Sequence, residues 1–215
     1  MSLQAITIPP ATGGAPTGLI ALLHGWGANA EDVAGLVPYL HLPDYAIAMP
    51  NAPFPHPYTA IGRMWYDIPT AYSFQNNAPE QPGEELAASR ALLQTWLPAT
   101  AAKLGVPLSR TFLAGFSQGG AMTLDVGLHL PLAGLMVLSG YLHHDIPKAL
   151  TAPPVLMVHG RMDQVVPLRA AQGARDRLMT SGINVQYYEL DMGHEVQISV
   201  LDLLRSFVQA VKLGQ

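Results

Sequence analysis

A serine flanked by glycines, Gly115-Phe116-Ser117-Gln118-Gly119, closes a short apolar run (Thr111 to Ala114) and opens a helical stretch. This is the sequence form of a nucleophile elbow, a strained strand-to-helix turn that pushes the hydroxyl into the open. The glycines have a mechanical reason, because backbone crowds too closely at such a turn to leave room for a Cβ. A serine hydroxyl is a weak nucleophile at neutral pH and needs a base to take its proton as it attacks. The base in turn needs a carboxylate that orients it and stabilises its charged form. Both groups stand downstream in the required order. Asp163 lies in His159-Gly160-Arg161-Met162-Asp163-Gln164-Val165-Val166-Pro167, and His194 lies in Asp191-Met192-Gly193-His194-Glu195. Each follows an apolar run directly, as expected for a site built at the carboxyl edge of a parallel sheet. Asp145, after the Leu135 run, is a rival acid with less complete surroundings.

The charge that develops on an attacked carbonyl oxygen needs donors aimed at it. One is expected from the backbone N–H of Gln118, the residue after the serine. The other is expected from Trp26, in Leu22-Leu23-His24-Gly25-Trp26-Gly27, where two glycines end an early apolar run. His24 and His159 each precede a glycine at a strand end and read as loop braces, since the chemistry needs only one base.

The elements that must hold these residues follow from patterning. Strands are predicted at Leu3 to Ile8, Leu19 to Leu23, Ala46 to Met49, Thr111 to Ala114, Leu135 to Leu138, Val155 to Val158 and Val185 to Leu190. Helices are predicted at Glu31 to Leu40, Glu84 to Leu104, Gln118 to Leu128, Leu168 to Ser181 and Val196 to Val211. This alternation implies an α/β fold, a mostly parallel central sheet with helices on both faces. The 215 residues, 49% hydrophobic and 12% charged, suit one domain spanning the chain with strands covered on both sides. A net charge of −4 without a basic stripe argues against a nucleic-acid partner. With no cysteine, a thiolate nucleophile, thiolate metal ligands and disulfides are excluded. No apolar run reaches the ~20 residues of a membrane helix, so no stable membrane insertion is expected. No signal peptide is apparent at the N-terminus, and the expected compartment is the cytoplasm.

Residues 50–83 break the alternation, being rich in proline, asparagine and aromatics such as Phe54, Tyr58, Trp65, Tyr66, Tyr72 and Phe74. That composition suggests an ordered insertion near the site, its aromatics either packing as a satellite core or lining a substrate groove. It would either cover the site or meet a neighbouring subunit in a homodimer. His143-His144-Asp145 reads as a solvated loop rather than a metal site, because adjacent residues diverge and no second ligand cluster exists. Met122 and Met192 read as core residues that also reach the pocket wall.

Taken together, Leu-His-Gly-Trp-Gly, Gly-Phe-Ser-Gln-Gly-Gly-Ala, His-Gly-x-x-Asp-x-Val-Val-Pro and Gly-His-Glu resemble the phospholipase/carboxylesterase family. That family includes acyl-protein thioesterases and small bacterial carboxylesterases, and the resemblance spans nearly the whole chain. It implies an α/β-hydrolase fold and hydrolysis of small-molecule esters or thioesters without metal or organic cofactor. By motif position it makes Ser117, Asp163 and His194 the triad, with Trp26 and Gln118 as the oxyanion donors. It places Tyr141 and Val165 at the acyl pocket, and Arg63-Met64-Trp65-Tyr66-Asp67 beside the groove, so that Trp65 would touch substrate. Two other readings stand beside a carboxylesterase or thioesterase. One is a lysophospholipase or acyl-protein deacylase for long acyl chains; the other is a catalytically silent binding protein of the same fold.

Overall fold

Gly-Leu-Ile-Ala-Leu-Leu and its counterparts show no apolar–polar alternation because the strands they form are covered on both faces. The computed structural model describes residues 3–68, 83–144, 146 and 152–211. Its strands are β1 (Ala5–Ile8), β2 (Gly18–Leu23), β3 (Tyr45–Pro50), β4 (Phe54–Pro55), β5 (Arg63–Met64), β6 (Thr111–Phe116), β7 (Gly134–Leu138), β8 (Val155–Gly160) and β9 (Val185–Leu190). The helices are α1 (Ala30–Ala34), α2 (Val37–Leu40), α3 (Glu84–Lys103), α4 (Gln118–Gly127), α5 (Leu168–Thr180) and α6 (Ile198–Ala210).

Seven strands form one sheet in the order β1-β3-β2-β6-β7-β8-β9, with β4 and β5 pairing separately as a short hairpin. Within that sheet, among the described residues, only β1 runs antiparallel to its neighbour; β3, β2, β6, β7, β8 and β9 are mutually parallel. Successive side chains of a strand point to opposite faces, and two apolar layers result. Leu19, Ala21 and Leu23 share one layer with Leu93 and Leu97 of α3, Leu124 of α4 and Leu178 of α5. Ile20 and Leu22 share the other with Val33 of α1, Leu40 of α2, and Leu204 and Phe207 of α6. The parallel arrangement brings the ends of β2, β6, β8 and β9 to one edge, where every sequence-predicted reactive group is attached.

All seven long strands fall where patterning puts them. The single helix expected over Glu31 to Leu40 is instead two. Gly35 closes α1 through its N–H to Glu31 O, and Pro38 stands in the first turn of α2, where a missing N–H does no harm. The start of α1 is fixed by a capping box, with Asp32 N–H donating to Asn29 Oδ1 (3.1 Å) and Asn29 N–H donating to Asp32 Oδ2 (2.9 Å). The β4–β5 hairpin was not expected, and it orders the first part of the 50–83 stretch. Tyr72, Phe74 and Asp145 lie outside the described residues.

Candidate active site

Ser117 sits between β6 and α4 with φ 55° and ψ −117°, a conformation costly for any residue with a Cβ. The turn is held by the Ser117 N–H donating to Leu138 O at the end of β7 (2.8 Å). Its tightness explains the flanking glycines. A Cβ on Gly115 would lie 2.2 Å from Gly119 O, and one on Gly119 would lie 2.5 Å from both Leu23 O and His24 O. The elbow, α4 and the end of β2 therefore meet backbone to backbone.

The structure brings Ser117, His194 and Asp163 together. His194 Nε2 lies 2.9 Å from Ser117 Oγ, and His194 Nδ1 lies 2.7 Å from Asp163 Oδ2. A carboxylate only accepts, so Nδ1 carries the proton and Nε2 presents its lone pair to the serine hydroxyl. The Asp163 side chain is fully buried, and its other oxygen, Oδ1, accepts the N–H groups of Val165 (2.9 Å) and Val166 (2.8 Å). A buried carboxylate with its lone pairs satisfied in this way is a fixed negative pole. The loops carrying Asp163 and His194 converge because Gly160 has no side chain: a Cβ there would lie 2.3 Å from Met192 O. The ring of Phe116, just before the serine, lies against the His194 imidazole at 4.7 Å between centroids.

The histidines read as braces do brace. His24 Nε2 accepts the Ala52 N–H (3.0 Å), which leaves Nδ1 to donate to Gly25 O (2.8 Å). Burial pushes its pKa down to about 4, so the ring is neutral. His159 lies behind the acid, donating Nε2–H to Val166 O (2.8 Å), and burial lowers its pKa as well. Asp191 is a solvent-facing partner of Arg161.

The loop carrying Trp26 abuts the elbow, since a Cβ on Gly25 would lie 3.4 Å from Ser117 Cβ. Among the described residues, neither the Trp26 nor the Gln118 N–H donates to a loop, turn or side-chain acceptor. Tyr141 packs on Ala121, one turn beyond the serine, and on Val166 beside the acid. Val165 turns its side chain outward and is 58% exposed at the rim.

Three expectations need correction. Trp65 is not beside the groove: it is fully buried in the core, with its indole N–H donating to His24 O (2.9 Å). A side chain with no accessible surface cannot meet a substrate, and its work here is to brace the site. Met122 and Met192 fill the core as expected, in opposite layers, but present almost no surface to a pocket wall. The His143-His144 segment is not simply solvated. The His143 side chain is 8% exposed and its Nε2 lies 2.7 Å from Tyr66 Oη, which in turn lies 2.6 Å from Tyr141 Oη. Behind it stands Asp125, on the fully buried α4, held by Arg90 of α3 through two bonds of 2.7 and 3.0 Å. Sequence reading passed over Asp125, although a lone carboxylate in the otherwise uncharged Gln118–Gly127 helix signals a hidden partner.

The sequence profile of the phospholipase/carboxylesterase family matches residues 9–212. The chain belongs to that family. Acyl-protein thioesterase 1 of Neurospora crassa is 30% identical over 214 residues, covering 89% of this chain and 86% of the relative. Carboxylesterase SOBER1 of Arabidopsis thaliana is 28% identical, covering 88% of this chain and 89% of the relative. The crystal structure of esterase PE8 superposes with a TM-score of 0.85 at 27% identity, covering 99% of this chain and all of that one. The expected α/β-hydrolase fold and the expected ester-cleaving hydrolase class are thus met for this phospholipase/carboxylesterase family member. Among the described residues no helix is long and apolar enough to cross a membrane.

Proposed function

We propose that the protein is a serine hydrolase that cleaves carboxylic esters or thioesters through an acyl-enzyme. The observation that carries this reading is one imidazole, His194, within hydrogen-bond reach of both Ser117 Oγ (2.9 Å) and the buried Asp163 carboxylate (2.7 Å). His194 Nε2 takes the hydroxyl proton as Ser117 Oγ attacks the carbonyl carbon, and Asp163 stabilises the imidazolium that results. The oxyanion rests against the N–H groups of Trp26 and Gln118. The imidazolium then gives its proton to the departing alcohol or thiol. Water, deprotonated by the same nitrogen, attacks the acyl-serine and frees the acid. Tyr141 and Val165 are the proposed lining of the acyl side.

A labelled fluorophosphonate is expected to modify Ser117 alone, and Ser117→Ala or His194→Ala to lower kcat by ~10⁴–10⁶. Modification of another serine, or none, refutes the assignment. A long-chain reading, as an acyl-protein deacylase or lysophospholipase, is favoured by two observations. The Neurospora crassa relative is named an acyl-protein thioesterase, and Tyr58, Ile61, Met162 and Val165 are large, exposed apolar side chains. Rates on oxygen and sulfur esters of rising acyl length decide: a sharp optimum at short chains excludes the long-chain reading.

A further inference from the structure

The two N–H groups assigned to the oxyanion belong to separate segments, the loop after β2 and the elbow after β6. These segments touch closely, at Gly25 against the Phe116 and Ser117 side chains and at Gly119 against the Leu23 and His24 carbonyls. Beyond the direct pairing of β2 with β6, a third segment, residues 63–66, which follows the hairpin turn, bonds to both. Toward the first loop, Arg63 N–H donates to Ala28 O and Gly27 N–H donates to Arg63 O, both at 2.9 Å. The Trp65 indole N–H adds a bond to His24 O at 2.9 Å. Toward the elbow the strap is fastened by one side chain. Gln118 Oε1 accepts the Trp65 N–H (2.9 Å), and Gln118 Nε2 donates to Tyr66 O (2.7 Å). The Ser89 hydroxyl of α3 donates to Trp65 O, between those two contacts.

The pattern is that of a clasp. The Gln118 carboxamide is fully buried, and it joins consecutive residues of the strap the way a neighbouring strand would, one donor and one acceptor. A helix start needs no glutamine for its own stability, and a buried amide is costly unless both of its ends are satisfied. The same residue also carries one of the two oxyanion N–H groups on its backbone. We infer that the Gln118 carboxamide is a positioning group: by clasping Trp65 and Tyr66 it sets the spacing between the Trp26 and Gln118 N–H groups. Trp65 is the second half of the device, since its indole reaches the loop that carries Trp26.

This rests on the hydrolase reading above and deepens it. Substitution of the Gln118 side chain leaves its backbone N–H in place, so the effect measured is that of position alone. Losing one oxyanion donor outright typically costs ~10²–10³ in rate. Gln118→Ala is expected to lower kcat on a soluble short-chain ester by ~10–10², with KM within ~threefold, because transition-state contacts suffer and ground-state contacts do not. Gln118→Glu supplies the decisive contrast. A neutral carboxyl can still accept from Trp65 N–H and donate to Tyr66 O, whereas a carboxylate opposes that carbonyl. The kcat of Gln118→Glu relative to the unsubstituted enzyme should therefore rise as pH is lowered from 9 to 6. A flat ratio over that range, or full kcat in Gln118→Ala with only the melting temperature reduced, overturns the inference. Fluorophosphonate labelling of the unsubstituted enzyme separates the two levels. If Ser117 is not labelled, the hydrolase reading falls; if it is labelled and Gln118→Ala keeps full kcat, only the positioning role falls.

Discussion

At the scale of single residues, the division of labour between the two oxygens of Asp163 decides which way the imidazole faces. Oδ1 is committed to the Val165 and Val166 N–H groups and Oδ2 to His194 Nδ1. In Asp163→Asn the two backbone donors retain the carbonyl oxygen, so the amide NH₂ must turn toward the imidazole. It then donates to Nδ1 and drives the ring proton to Nε2, the atom that in the proposed mechanism receives the Ser117 proton. The geometry survives while the tautomer is wrong. The expected result is a kcat loss of ~10⁴ without loss of folded structure, by the logic of serine triads in general. Steady-state ester hydrolysis alongside circular dichroism checks this, and a loss below tenfold would show that Asp163 does not set the tautomer.

At the scale of elements, α4 sets the terms for its surroundings. All ten of its residues are buried, so Asp125 must be satisfied from outside the helix. Arg90 of α3 does this through two bonds; burial pushes the Asp125 pKa up, and His143 and Arg90 together outweigh it and hold the pKa at about 2. The two ends of the pair are unequal: the Arg90 side chain is 28% exposed, that of Asp125 only 1%. Arg90→Ala removes both short bonds to a buried carboxylate, leaves it only the more distant His143 and His144 rings, and should cost up to about 3–5 kcal/mol. Asp125→Ala frees a guanidinium that can swing into water, and it should cost measurably less. Urea unfolding of both variants tests the order, and equal or reversed losses would contradict it. The same helix shows where sequence reading reaches its limit. The seven long strands and the elbow were legible because buried strands read as apolar runs and a tight turn demands glycine. The break between α1 and α2 was written in Gly35 and Pro38 but hidden by apolar spacing that continued across it. The β4–β5 hairpin, two residues a side, is too short to show a period, and the clasp of Gln118 on Trp65 joins positions that no periodicity connects. Trp65 is assigned to the groove by motif resemblance, which places a segment near the site and does not say which way its indole faces.

At the scale of the whole molecule, the groups that keep the site in shape also make the fold sensitive to acid. His24 titrates near 6.5 when unfolded but only at about 4 when folded, because burial disfavours its charged form. Its contribution is complete above pH 6.5. As pH falls from there toward 4 the unfolded chain takes up a proton that the native state refuses, and about 3 kcal/mol of stability is lost. His159 acts in the same direction. Asp125 extends the decline. Its pKa falls from 3.8 to about 2 on folding, so its contribution is present above 3.8 and is lost as pH drops to 2, by about 2 kcal/mol. Stability should thus fall continuously from near-neutral pH downward, first through the brace at the loop bearing Trp26 and then through the α3–α4 pair. Replacing His24 by glutamine keeps an acceptor within reach of Ala52 N–H and removes the titration. The variant should be less stable than the unsubstituted protein at pH 7.5, yet lose less of its stability between pH 7.5 and 4. Urea midpoints at several pH values measure both slopes. An undiminished slope in His24→Gln would mean that acid first attacks some part of the molecule other than the loop bearing Trp26.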